Sequence, residues 1–202
     1  MTPADTIVHG DLAPGFADPA LASQEVFRTV LAAMATPGKI VTLPEGARVA
    51  AAPLPAAAAA LALTLADLET PVWLSPAMTR AASWIRFHSG APVTAEKQAA
   101  RFAFAAAADC PPLDAFDLGT DAYPDRSTTV AIEVAALDAG AAVTLSGPGL
   151  RAPATLRVAG LGDGFWLARA RLAALFPRGI DVVLTCGASL AAIPRTTRAH
   201  GG

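Results

Sequence analysis

The sequence predicts an α/β fold of three layers, α/β/α, around a mixed sheet. Helical and strand patterns alternate through the first half, whereas the second half is denser in strands joined by Pro- and Gly-rich turns. The run Phe176-Pro177-Arg178-Gly179-Ile180-Asp181-Val182-Val183-Leu184-Thr185-Cys186 adds a Pro-Gly turn feeding a buried apolar strand. A chain of 202 residues is long enough to bury a core without disulfide or metal staples. Residues 16–202 read as one domain behind an extended, weakly ordered arm, residues 1–15.

Asp18-Pro19 supplies a helix N-cap with proline at the first helical position, and Val26, Phe27, Val30, Leu31 and Met34 follow at helical spacing as one apolar face. Thr36-Pro37-Gly38 stops that helix, and Lys39 to Leu43 reads as a strand closed by Pro44-Glu45-Gly46. An alanine-rich helix from about Pro55 to Leu65 allows a neighbouring element to approach closely. Pro71 to Leu74 is a short strand whose proline sits where a missing N–H is tolerated. A third helix spans about Thr79 to Phe87 and ends near His88-Ser89-Gly90. Strands are expected at Arg101–Ala105 and Thr128–Val134, and a hairpin-like antiparallel pair at Val143–Leu145 and Thr155–Val158. A helix over Phe165–Leu175 and strands at Ile180–Thr185 and Leu190–Ile193 complete the chain.

The composition narrows the function. The chain is 53% hydrophobic and 16% charged, much of the apolar count being alanine, and a surface so poor in charge is expected to lose area to a partner. A net charge of -2 argues against nucleic-acid binding. Cys110 and Cys186 lie far apart with no CxxC spacing, and the N-terminus lacks the basic-then-apolar pattern of a leader. The alanine run near residue 58 is too short and too proline-flanked to span a bilayer, so the expected compartment is the cytoplasm, with no membrane contact.

No known catalytic motif is present. There is no GxxxxGK[ST] loop, no GxGxxG opening a helix after a strand, and no GxSxG elbow. Gly160-Leu161-Gly162-Asp163-Gly164 precedes a helix and reads as a surface turn rather than an anion cradle. Only His88 of the three histidines falls in an ordered segment, which leaves a metal site unsupported. His88 ends a helix, where an imidazolium caps free carbonyls; the functional reading keeps Arg86 and His88 as phosphate ligands or a proton donor at a cleft. Asp67, Glu69 and Asp181 are the carboxylates nearest strand ends, where α/β active sites collect. Arg195-Thr196-Thr197 offers a fork of donors and two hydroxyls to an anion, or a docking tip to a neighbouring subunit. The candidate contacts are therefore Arg86, His88, Asp181, Arg195 and Thr196, with no catalytic residue assigned.

Five blocks carry a resemblance. They are Phe27…Ala33-Met34…Pro37-Gly38; Leu63 to Asp67 with Thr70 to Ser75; Arg86-Phe87-His88…Ala91-Pro92; Phe176-Pro177…Gly179-Ile180-Asp181…Leu184-Thr185-Cys186-Gly187; and Ala192 to Thr197. Their order and spacing resemble the H subunit of the carbon–phosphorus lyase core complex, over nearly the whole chain. The resemblance implies a bacterial protein of organophosphonate breakdown. Such a subunit acts with the G, I and L subunits in making ribose 1-phosphonate 5-triphosphate from ATP and a phosphonate, ahead of C–P bond cleavage by the J subunit. It implies an accessory role with no established active site of its own, and a homodimer in isolation.

The same resemblance implies a fold similar to the large domain of pyridoxal-phosphate-dependent transferases, yet no pyridoxal phosphate is expected. A Schiff base needs a lysine, and Lys39 and Lys97, the two lysines present, fall outside the matching blocks. The chain departs from the family pattern at Tyr123-Pro124-Asp125-Arg126, where glutamate is expected after the proline. The alternative is a stand-alone α/β enzyme or nucleotide- or phosphate-binding protein with a cleft around His88.

Overall fold

Pro19 in the first turn and the Asp18 carboxylate, which accepts from the Leu21 N–H at 3.1 Å, start helix α1 (Pro19–Ala35). In the computed structural model residues 13–49 and 52–200 are described, so residues 1–12 of the expected arm, with His9, lie outside them. The stripe that α1 buries is Ala22, Val26, Val30 and Ala33, with Met34 half-buried beside it. Phe27 and Leu31, expected on that face, are instead 47% and 52% exposed. The reason is the neighbour: α1 packs on the alanine helix α2 (Ala56–Leu65), and such close approach favours small side chains at the contact.

Helix α2 is buried over Ala57–Ala62 and apolar but for Thr64, as suits a helix enclosed by other elements. Helix α3 (Ala82–Ser89) starts later than expected, because Pro76–Ala81 forms a 3-10 turn ahead of it; Gly90 at φ +73 closes it. Helix α4 is Asp163–Ala173.

Ten strands are described: β1 Val41–Thr42, β2 Val72–Leu74, β3 Val93–Thr94, β4 Phe102–Ala106, β5 Thr129–Glu133, β6 Ala136–Ser146, β7 Ala154–Ala159, β8 Asp181–Cys186, β9 Ser189–Ile193 and β10 Arg198–His200. Seven of them form a mixed sheet in the order β1-β9-β8-β5-β4-β2-β3. Strands β3, β2, β4, β5 and β8 run parallel, and β9 and β1 pair antiparallel at the far edge. The mixed α/β architecture read from the sequence therefore holds.

Alternate side chains of the central strands feed two apolar cores. Val72, Leu74, Phe104, Ala131, Val183 and Ala192 join α1, α2 and α3 on one face. Trp73, Ala103, Val130, Ile132, Val182, Leu184 and Ile193 meet Trp166 and Leu172 of α4 on the other. That second face is also covered by a three-stranded antiparallel sheet, β10-β6-β7, which packs Val143, Leu145, Leu156, Val158 and Ala199 inward. The sequence reading expected the β6–β7 pairing but neither its length nor the third strand. A register shift between Leu137 and Ala141, with Asp138 and Gly140 at positive φ, makes a bulge that lets β6 run on for 11 residues. No helix among the described residues is long and apolar enough to cross a membrane.

Candidate functional site

Asp181 is the first residue of β8, paired with Thr129 at the start of β5. It thus stands at the amino end of the parallel strands, opposite the carboxyl end where open α/β sheets bind ligands. There its carboxylate accepts from the Arg195 backbone N–H at 2.7 Å, from Nε at 3.1 Å and from Nη2 at 2.5 Å. The two side chains are 15% and 16% exposed, and Arg195 Nη1 also donates to the Pro124 carbonyl. Each nitrogen of the Arg195 guanidinium is thereby engaged inside the molecule. Gly179, whose added Cβ would lie 3.2 Å from Arg195 Cβ, lets the turn ahead of β8 approach this pair.

Behind them is a residue the sequence reading did not single out. Arg169 of α4 is 1% exposed and donates through Nη2 to the Pro194 carbonyl, while its Nε and Nη1 have no partner. Burial lowers its pKa to about 10; Asp181 acts in the opposite direction, and Arg195 in the same direction as burial. The available signal was its spacing: Trp166, Arg169 and Leu172 recur every three residues and share the buried face of α4. Arg195 alone is bonded to the Asp181 carboxylate, while Arg169 feels the same charge without a bond to it.

Thr196, next along the chain, lines an open cleft of about 570 Å³ between β10, the turn after β6 and the end of α4. Asp181, Arg195 and Thr196 are therefore neighbours. Arg86 and His88 belong to α3, which packs by the opposite sheet edge, against β3.

The Ala13 carbonyl accepts from both Trp84 Nε1, at 2.8 Å, and His88 Nε2, at 3.0 Å. The His88 ring also packs against Trp84 and Phe87, with both centroids at 5.0 Å. So His88 binds the segment preceding α1 and not the carbonyls of its own helix. Arg86, on the exposed side of α3, lines a groove with Trp73, Leu74, Val93 and Thr94.

Other sequence candidates have local roles. Asp67 Oδ1 accepts from the Glu69 N–H at 2.9 Å and from Thr70 Oγ1 at 3.0 Å, closing a tight turn. At the carboxyl end of the sheet, Glu133 accepts from Thr185 Oγ1 at 2.6 Å and from the Gly187 N–H at 3.0 Å, tying β5 to the β8–β9 turn. Both cysteines are free thiols; burial, with Asp109 adding to it, pushes the Cys110 thiol up to about 11. Among the described residues no group of three or more His, Cys, Asp or Glu side chains is placed to hold a metal ion.

Comparison with known proteins supplies what this geometry leaves open. The subunit PhnH of alpha-D-ribose 1-methylphosphonate 5-triphosphate synthase from Rhizobium meliloti (strain 1021) is 46% identical over 201 residues, 98% of each chain. HtxG of Stutzerimonas stutzeri, provisionally described as a C-P lyase subunit protein, is 30% identical over 175 residues, 86% of this chain and 84% of its own. The family model of the bacterial phosphonate metabolism protein PhnH matches residues 14–200. With a match that runs through every element from α1 to β10, the chain belongs to the PhnH family of bacterial phosphonate metabolism proteins.

Proposed function

We propose that this chain is an accessory subunit of the carbon–phosphorus lyase core complex, required for making ribose 1-phosphonate 5-triphosphate from ATP and an organophosphonate. The observation that carries it is the end-to-end match to a synthase subunit, 46% identical over 98% of both chains. The surface agrees: Phe27 and Leu31 leave an apolar face of α1 exposed, and the residues best suited to chemistry are spent on internal bonds. The partners are the G, I and J subunits, with L joining for the synthase step. In isolation the chain pairs with itself, and it works in the cytoplasm.

The architecture is that of three layers akin to the large domain of pyridoxal-phosphate transferases, formed by a single domain. It works without pyridoxal phosphate: Lys39 is exposed, and the Lys97 ammonium sits 5.6 Å from the centre of the Trp73 ring, a cation–π contact. Among the sequence candidates, Arg86 and His88 act through structure and docking rather than at a reaction centre.

Complementation tests the reading. A Rhizobium meliloti strain lacking its own 46% identical relative should regain growth on methylphosphonate as sole phosphorus source when given this chain. The double variant Phe27→Asp, Leu31→Asp should fold normally and fail to complement. Failure of the wild-type chain, expressed and folded, would overturn the assignment; full rescue by the double variant would remove α1 from the interface.

A further inference from the structure

The cleft beside Thr196 has the makings of a ligand site. Arg198 and Ser146 are cross-strand partners in the β10–β6 pair, so their side chains leave the same face of the small sheet, with Cβ atoms about 5 Å apart. Ala199 and Leu145, the next pair, go into the core, which sends Arg198 and Ser146 outward into the cleft. Thr196 enters from the turn between β9 and β10. That turn lies close against Gly147, at φ +130, where an added Cβ would come 2.9 Å from the Thr196 carbonyl oxygen. Phe176, 63% exposed, forms the apolar wall.

The side chains of Arg198, Ser146 and Thr196 make no hydrogen bond or ion pair among the described residues, in contrast to Arg195 one face away. A lone exposed arginine needs no ligand, and the C-terminal end of α4 already favours a cation nearby. Neither fact accounts for a guanidinium, two hydroxyls and an aromatic wall converging on one concavity. Asp181 is ion-paired with Arg195, and Arg169 of α4 is buried with no ion-pair partner among the described residues, which adds uncompensated positive charge near the cleft.

We propose that this cleft binds the phosphoryl group of a small phosphate ester or phosphonate, with Arg198 bridging two oxygens, Ser146 and Thr196 donating to the remaining oxygen, and Phe176 covering the organic body. A planar carboxylate would use the arginine fork and leave the hydroxyls idle, whereas a tetrahedral oxyanion uses all three groups. The inference stands on the cleft alone and survives failure of the subunit assignment.

Calorimetric titration of the full-length chain at low salt tests it, with phenylphosphonate, phenyl phosphate, inorganic phosphate and benzoate as probes. The expected result is saturable one-to-one binding of the phosphoryl probes, and the tighter of phenylphosphonate and phenyl phosphate identifies the natural class. Arg198→Gln should weaken both at least tenfold and Thr196→Val several-fold. Phe176→Ala should weaken the phenyl probes while leaving inorganic phosphate within twofold. Arg80→Gln, an exposed arginine on the 3-10 turn before α3, should change nothing. Absence of saturation in the wild type, Arg198→Gln binding within twofold of it, benzoate binding as tightly as phenylphosphonate, or equal losses from Arg80→Gln would each overturn the proposal.

Discussion

Replacing Asp181 by Asn keeps the shape of the side chain and an oxygen for the Arg195 backbone N–H, but removes the charge that pairs with the Arg195 guanidinium and favours the nearby Arg169. An exposed ion pair is worth about 0–1 kcal/mol, whereas breaking a buried one by deleting a partner costs about 3–5 kcal/mol. With side chains 15% and 16% exposed and two side-chain bonds to one carboxylate, the Arg195–Asp181 pair belongs near the buried case. Arg169, already unfavourably buried, loses its attracting carboxylate at the same time.

About 3 kcal/mol is therefore expected, and for a chain of this length each kcal/mol moves Tm by roughly 2–4 °C, giving a fall of about 6–12 °C. The comparator is Arg178→Gln. It breaks the Arg178–Asp121 pair at 3.3 Å, where the side chains are 42% and 79% exposed, and less than about 1 kcal/mol is expected. Thermal unfolding followed by circular dichroism reads both. A fall below about 3 °C for Asp181→Asn, or one no larger than for Arg178→Gln, would refute the reasoning that this carboxylate is structural.

Two further outcomes follow from the interior. The Cys110 thiol ionises at about 11 in the fold against 9.0 when unperturbed, so between those pH values the unfolded chain binds fewer protons and stability falls as pH rises. The loss is at most about 2.7 kcal/mol at 1.36 kcal/mol per unit, less for a half-buried group; slow iodoacetamide labelling at pH 8 that accelerates only near pH 11 checks it, and a labelling midpoint below pH 9 contradicts it. Ala60→Leu inserts three carbons into α2 at a position with no exposed surface and should cost about 1–3 kcal/mol, whereas Ala20→Leu on the exposed side of α1 should be near neutral by the same denaturation assay.

Much of the fold was legible because its signals are local. Asp18-Pro19 capped α1 as read, the alanine run formed α2, and the apolar runs at residues 72–74, 130–132 and 182–184 became central strands. What escaped depended on partners. Strand β3 is two residues long and exists through its pairing with β2, and β10 carries Arg198 and His200, which look like loop until Ala199 turns into the core. Phe27 and Leu31 matched the helical period as well as Val26 and Val30 do. Which flank of a wide apolar arc is buried depends on the size of the neighbour, and here α2 selected alanine and valine.

The site was less legible. Arg195 was visible as a cationic tip but not as a residue consumed by Asp181, since that pairing links positions 14 apart across the β8–β9 hairpin. Arg169 carried only the weak signal of its three-residue spacing with Trp166 and Leu172, and Arg198 gave no signal beyond its charge. How far each is buried is set by how α4 lies against β10.

If this chain works as a subunit, it should co-purify with the rest of the complex. A tagged copy would be recovered from cells grown on a phosphonate as sole phosphorus source and its companions identified by mass spectrometry. The remaining core subunits should be recovered in stoichiometric amounts and be lost when Phe27 and Leu31 are changed to aspartate. Recovery of the wild-type chain alone, in cells that express the other subunits, would contradict it.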